Sequence, residues 1–415
     1  MIGKVSNALL IAFVVSLAWF TAWAAQAPKP LYPTNATFTT LVTTPLVIEG
    51  LTGDGTYLYA AARQITLPGT PTPPNTNPCP IYRVKLVNPP SVMPVLETIG
   101  YIPASNNALP CNPAGVAFDS LGRLFIAESQ GALTDSSRKV YVLDPPFTAE
   151  TISSPAPPAA LYASGVPGAN GIAFKGNDLW ISDGTTNQGR VWKVGPNGGD
   201  CNTLNNCEEV FRIQPMNNSF NVGRTNTTNP GTAQNLVANG LAFNAEGNLL
   251  VADTARGALW LVKFDKNGDL ESKRDCDHTF NSNTLCLENL FRADPRLEGA
   301  DGIALDNSGN IWAAVNERNA IVFSVFYGTS NSAEVFRNPA GTDGLRNKAV
   351  DNTRVLEFPT SPFLSGTKLC VTSSDGDRRD NSPASGGEIS PSGSLKGKIS
   401  CMDQPLSSPG LPLPR

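Results

Sequence analysis

The sequence predicts an all-β protein, a six-bladed β-propeller built from four-stranded antiparallel blades. Three observations predict it. A sequence unit of two short apolar runs around a polar turn returns six times, roughly every 55 to 70 residues. The apolar runs have strand length and are separated by Gly- and Asn-containing turns. The 415 residues include 37 Gly and 35 Pro, and only 16% are charged, against about 25% in an average soluble domain. Helix bundles and coiled coils need the opposite composition.

The copies begin near residues 49, 114, 170, 239, 301 and 361. The four clearest are Asn112–Glu128, Ala169–Asp183, Ala238–Asp253 and Ala300–Val315. Each reads Gly, three apolar residues, a turn, then a second apolar strand. Weaker copies, Ile48–Ala61 and Pro362–Thr372, flank them. Third strands follow at Lys139–Leu143, Arg190–Val194, Ala258–Val262 and Ala320–Val325, and fourth strands at Glu209–Arg212, Asn289–Arg292 and Glu334–Arg337. Such a sheet cannot bury both faces alone, and packing sheets around a ring solves this. Ala36–Thr43 is expected to close the ring by pairing beside Gly397–Ser400. The Pro-, Asn- or Ser-rich inserts Thr66–Pro80, Ser153–Pro158, Asn217–Ala233 and Asp375–Ser394 read as loops, where specificity would reside.

Residues 1–25 carry Lys4, an apolar stretch and the small-x-small pattern Ala22–Ala24, which reads as a cleaved signal peptide. The propeller is expected over 31–401 and a Pro- and Ser-rich tail over 402–415. The protein is therefore expected to be secreted or periplasmic, monomeric, and without stable membrane insertion after cleavage. Export permits disulfides, and the eight Cys fall into neighbouring pairs: Cys79–Cys111, Cys201–Cys207, Cys276–Cys286 and Cys370–Cys401. In a host with that machinery, Asn35, Asn217 and Asn226 are glycosylation acceptors.

Composition also excludes chemistry. The net charge of -4 argues against nucleic acid as a partner. With His278 as the single histidine, a Ser-His-Asp triad or a His-rich zinc site would have to rest on that residue alone.

The residue before the Gly that opens each first strand is Glu49, Ala114, Asn170, Asn239 or Asp301. In a propeller these positions surround one axis at similar height. Asn-Gly and Asp-Gly are common turn dipeptides, but here they recur at one phase of the repeat. Two carboxylates and two amides without His or Cys suit a hard cation, Ca²⁺ or another divalent ion. Glu49, Asn170, Asn239 and Asp301 are thus the expected metal ligands. A second polar set, Glu128, Asp183, Asp253 and Asn316, closes the second strands and is expected to accept backbone N–H bonds. Trp180, Trp192, Trp260 and Trp312 are expected in the core between blades.

With these motifs the sequence resembles the gluconolactonase and senescence-marker-protein family and its paraoxonase and diisopropyl-fluorophosphatase relatives. That resemblance implies a six-bladed propeller with a catalytic divalent ion in the central tunnel. The family's early Glu-Gly is similar to Glu49-Gly50, its Asn-Gly to Asn239-Gly240 and its Asp-Gly to Asp301-Gly302. An additional Asn of the fluorophosphatase and paraoxonase branches resembles Asn170. Those branches also place histidines near the metal, whereas His278 sits in a loop between Cys276 and Cys286. No arginine is assigned to the family's substrate-holding role.

The expected function is metal-dependent hydrolysis of a lactone or related ester, with Asp301 as general base. The alternative is a non-catalytic propeller, related to the NHL repeat through 240–243 and 251–254, that binds a protein or glycan. A third class, strictosidine-synthase-like or sugar-oxidising, would need a Glu base that Glu128 supplies poorly, or a His base.

Overall fold

In the computed structural model the repeat is resolved as six small antiparallel sheets arranged as the blades of a propeller. The structure describes residues 37–63, 78–86, 94–103, 111–129, 138–184, 188–215, 237–271, 281–325, 332–337, 355–356, 358–374 and 396–403. All of them fall in one compact unit, Thr34–Arg415. Among them no helix is long and apolar enough to cross a membrane. The expected signal segment, His278, Cys276 and the three glycosylation acceptors lie outside the described residues.

Blade 3 shows the common plan. Its strands are Ala169–Lys175, Asp178–Asp183, Arg190–Val194 and Cys207–Ile213, paired in sequence order. Ala169 pairs with Asp183, Asp183 with Arg190, and Arg190 with Arg212. The start of the first strand and the end of the second therefore share one end of the sheet. A register shift interrupts the first pair between Ala169 and Ile172. Equivalent shifts occur between Pro113 and Val116, Ala300 and Ile303, and Pro359 and Pro362. In blades 2, 3 and 5 the bulge spans the axial Gly, and in blade 6 it spans Ser361; a local bend there re-aims the neighbouring side chain.

Three details depart from a plain four-stranded plan. Blades 2 and 3 each gain a two-residue parallel edge strand, Gly199–Asp200 and Thr284–Leu285. The first strand of blade 1 is split into Val47–Ile48 and Thr52–Gly53, leaving Glu49 between them. The strand Gly397–Asp403 carries the last sheet beyond residue 401, with Met402 buried.

The ring is closed as expected. Thr39–Thr44 pairs antiparallel with Gly397–Asp403, Thr39 opposite Cys401 and Thr44 opposite Gly397. The Cys370–Cys401 disulfide staples this same blade. Cys79–Cys111 joins the third strand of blade 1 to the entry of blade 2, and Cys201–Cys207 closes a loop of blade 3. Cys286 is also disulfide-bonded; its expected partner Cys276 lies outside the described residues.

Between the blades lie aromatic contacts with edge-to-face geometry. Tyr59 meets Phe118 at 5.0 Å, Phe125 meets Phe174 at 4.8 Å and Trp180 meets Phe243 at 5.4 Å. The four strand tryptophans are all buried, Trp260 and Trp312 completely. Each such side chain contributes about 1.5–3 kcal/mol of burial.

Candidate functional site

Five axial glycines set the geometry of the centre. A Cβ on Gly240 would stand 2.5 Å from the Asp301 carbonyl oxygen, and one on Gly302 would stand 2.5 Å from that of Thr360. Gly50, Gly115 and Gly171 meet the carbonyls of Ala114, Asn170 and Asn239 in the same way. Each glycine thus abuts the backbone of the next blade, and only the missing side chain permits the approach. Ser361 holds the sixth place. Thr360 and Thr372 close the circle by donating to the Glu49 carbonyl oxygen at 2.7 and 2.5 Å.

The residues immediately before these positions form the expected ring: Glu49, Ala114, Asn170, Asn239, Asp301 and, in blade 6, Thr360. The contacts of the glycine girdle place Glu49, Asn170, Asn239 and Asp301 around one axis. Asn170, Asn239 and Asp301 are buried, at 9%, 2% and 5% exposure, and Glu49 is partly buried. The hydroxyl proton of Thr360 is spent on the Glu49 carbonyl.

A second circle, not singled out in the sequence, orients the first. It consists of Arg63, which ends the second strand of blade 1, and of Gly184, Thr254 and Asn316, which follow the second strands of blades 3, 4 and 5. The Thr254 hydroxyl donates to the Ala300 carbonyl at 2.6 Å. Having one proton, it accepts from Asn239 Nδ2 at 2.9 Å. The Asn239 amide is thereby turned so that Oδ1 is its remaining ligating atom. Asn316 Nδ2 donates to Asp301 Oδ2 at 3.0 Å. Asn170 Nδ2 lies where a Cβ on Gly184 would be only 2.7 Å away, so Gly184 makes room for it. The Arg63 guanidinium donates to Glu49 Oε2 and, at 3.3 Å, to Ser374 Oγ. Repeat phase would have found all four, had the copies been aligned on the ends of the second strands.

The second polar set divides. Glu128 Oε1 accepts from the Asn112 N–H at 2.8 Å, and Asp253 Oδ1 from the Arg256 N–H at 3.0 Å, as expected. Asp183 instead holds the Arg190 side chain at 2.8 Å. Asn316 does not share their role: it stands one place later in the repeat, level with Thr254, and touches the ring.

The ring residues fit a hard cation. Their donors are oxygens only, two carboxylates balance a dication, and the Asn239 amide nitrogen is engaged elsewhere. Among the described residues no three His, Cys, Asp or Glu side chains cluster tightly enough for a metal, so the amides would have to complete the ligand set. Arg63 works against the fit, since it already supplies Glu49 with positive charge.

Thr66–Pro80 and Asp375–Ser394 follow the second strands of blades 1 and 6, and Asn217–Ala233 follows the fourth strand of blade 3. The described strands that precede them end, at Arg63, Ser373 and Ile213, on the side of the sheets that carries the ring. Ser153–Pro158 connects the third and fourth strands of blade 2, at the opposite end.

Residues 177–329 match the SMP-30/gluconolactonase/LRE-like region. The matched segment runs from the second strand of blade 3 to the third strand of blade 5. It includes Asn239, Thr254, Asp301 and Asn316, and leaves out Glu49, Arg63 and Asn170. Among solved structures, a luciferin-regenerating enzyme is similar over 91% of this chain and 98% of its own, at 13% identity and a TM-score of 0.51. A PQQ-bound aldose sugar dehydrogenase from Streptomyces coelicolor covers 90% of this chain and 99% of its own, at 14% identity and 0.51. Regucalcin from Agrobacterium tumefaciens, a calcium-binding protein, covers 92% and 97%, at 16% identity and 0.49. For the luciferin-regenerating enzyme and the aldose sugar dehydrogenase, at these identities, the likeness is one of fold. No curated protein matches the chain by sequence.

Proposed function

We propose that the axial ring binds one divalent cation, Ca²⁺ or a similar hard ion, and that the protein is an exported hydrolase of a lactone or related ester. The observation that carries this reading is the place of Glu49, Asn170, Asn239 and Asp301 one residue before the glycine girdle, with Asn239 held oxygen-first by Thr254. The match of 177–329 to a gluconolactonase-type region supports it. Three disulfides among the described residues support export.

Glu49 Oε1 and Oε2, Asp301 and the Oδ1 atoms of Asn170 and Asn239 would hold the ion. When bound, it supplies Lewis acidity toward a carbonyl oxygen. Asn316 anchors Asp301 Oδ2, and the Asp301 carboxylate would take the proton of the attacking water. Burial of the ring keeps bulk water from this carboxylate and strengthens each charge interaction there. The long segments that leave from this end would supply substrate contacts. The test is turnover of a broad lactone and ester panel with added divalent ion. Turnover that requires the ion supports the reading, and its absence across the panel returns the protein to the class of binding propellers.

One contact favours that second, non-catalytic class: the Arg63–Glu49 ion pair. If the ring is a cation site, Arg63 competes for Glu49. Arg63→Gln is then expected to raise Ca²⁺ affinity by about tenfold or more, since a like charge at contact distance is removed. Calorimetric titration of both proteins checks this. Equal affinity would mean that Arg63 swings clear of the ion.

A further inference from the structure

On the other side of the glycine girdle the channel changes character. A chamber of about 540 Å³ is lined by the first strands of all six blades. Glu49, Asn170, Asn239 and Asp301 do not line it; its upper limit is Gly115, Gly171, Gly240 and Gly302. None of its lining residues is charged, and among them only Thr52, Asn244 and Ser361 have polar side chains. Phe118, Phe174, Phe243 and Phe363, from four different blades, line its wall. The alanines Ala173, Ala242 and Ala304 are partly exposed there.

This void cannot close by relaxation. The girdle fixes the distance between neighbouring blades through backbone contacts. Each wall strand is also held by its own hairpin partner, as Ile303 is by Ala313 and Leu241 by Val251. A fixed, apolar space loses dispersion contacts on every wall. Water gains few hydrogen bonds in it. Its size lies within the 300–1,000 Å³ or so of small-molecule pockets. A charged guest would be left without a counter-ion, whereas a flat ring would meet phenylalanine edges.

We propose that this lower chamber is a second binding site, for a neutral, ring-bearing apolar small molecule, separate from the polar ring above it. The proposal does not depend on the cation or on hydrolysis. The test is a fluorescence titration of the full mature chain with N-phenyl-1-naphthylamine, a neutral arylamine. Saturable binding of one probe per chain is expected. Its sulfonated, anionic analogue should bind at least about tenfold more weakly. Ala304→Phe, which fills the chamber, should weaken the neutral probe by about tenfold or more, and Asp301→Asn should leave it unchanged. If Ala304→Phe fails to fold by circular dichroism, Ala242→Leu is the second filling variant. No saturable binding would overturn the proposal. So would equal affinity for the folded filling variant, which would locate the probe elsewhere.

Discussion

Asp301→Asn is expected to abolish turnover while leaving the propeller folded. The substitution keeps the shape of the side chain and an acceptor for Asn316 Nδ2, the bond that holds Asp301 at 3.0 Å. It removes one of the two ring carboxylates, and with it both the base and half of the charge opposite a dication. A general base alone contributes about 10²–10⁴-fold, so kcat on any lactone or ester that the wild type turns over should fall by at least about 10²-fold. Urea unfolding should move little, because the isosteric amide still fits the site. A variant with wild-type kcat would remove Asp301 from the mechanism.

Asp253→Ala carries the largest expected loss of stability. Asp253 is completely buried, and the Arg256 side chain is 4% exposed. The carboxylate accepts from the Arg256 guanidinium at 2.8 Å and from Trp260 Nε1 at 2.9 Å. Arg256 in turn donates to the Gln214 carbonyl at 2.6 Å, at the edge of blade 3, so the cluster ties blade 3 to blade 4. Burial pushes the Asp253 carboxyl up from its ordinary range, while Arg256 and Trp260 pull it down. Removing the carboxylate leaves a guanidinium and an indole N–H buried without it. Breaking such a pair costs about 3–5 kcal/mol. Replacing both charges, as Asp253→Leu with Arg256→Met, should cost less than the single change, because no unpaired charge remains. Equilibrium urea unfolding of the three proteins checks this. A single variant within about 0.5 kcal/mol of wild type would show that the cluster is not a structural tie.

Much of the architecture was legible because the repeat writes each blade as the same local pattern. The hairpins, the tryptophan core, the latch at Thr39–Thr44 and three disulfide pairs all followed from local runs and spacing. What escaped was set by distant partners. Gly199–Asp200 and Thr284–Leu285 pair along an available blade edge, and a run of two residues is too short to read as a strand from sequence. The split first strand of blade 1 reflects Glu49, a residue that interrupts the apolar run of its copy.

At the site, phase alone picked out Glu49, Asn170, Asn239 and Asp301, and the girdle of glycines places them around one axis. The orienting circle was harder to read because its members, Arg63, Gly184, Thr254 and Asn316, share a position and no chemistry. Asn316 stands one residue later in the repeat than Glu128, Asp183 and Asp253, and its contact with Asp301 had no signal in that grouping. The Arg63–Glu49 pair had no sequence signal, since Arg63 is the only cation of that circle.

The most direct test of the account is the divalent-ion content of the purified mature protein, followed by calorimetric Ca²⁺ titration after chelation. The account predicts one site per chain, lost in both Asn239→Ala and Asp301→Ala while each variant stays folded. No bound ion and no Ca²⁺ binding in the wild type would contradict it, and would reduce the Asn-Gly and Asp-Gly series to the turns of a binding propeller.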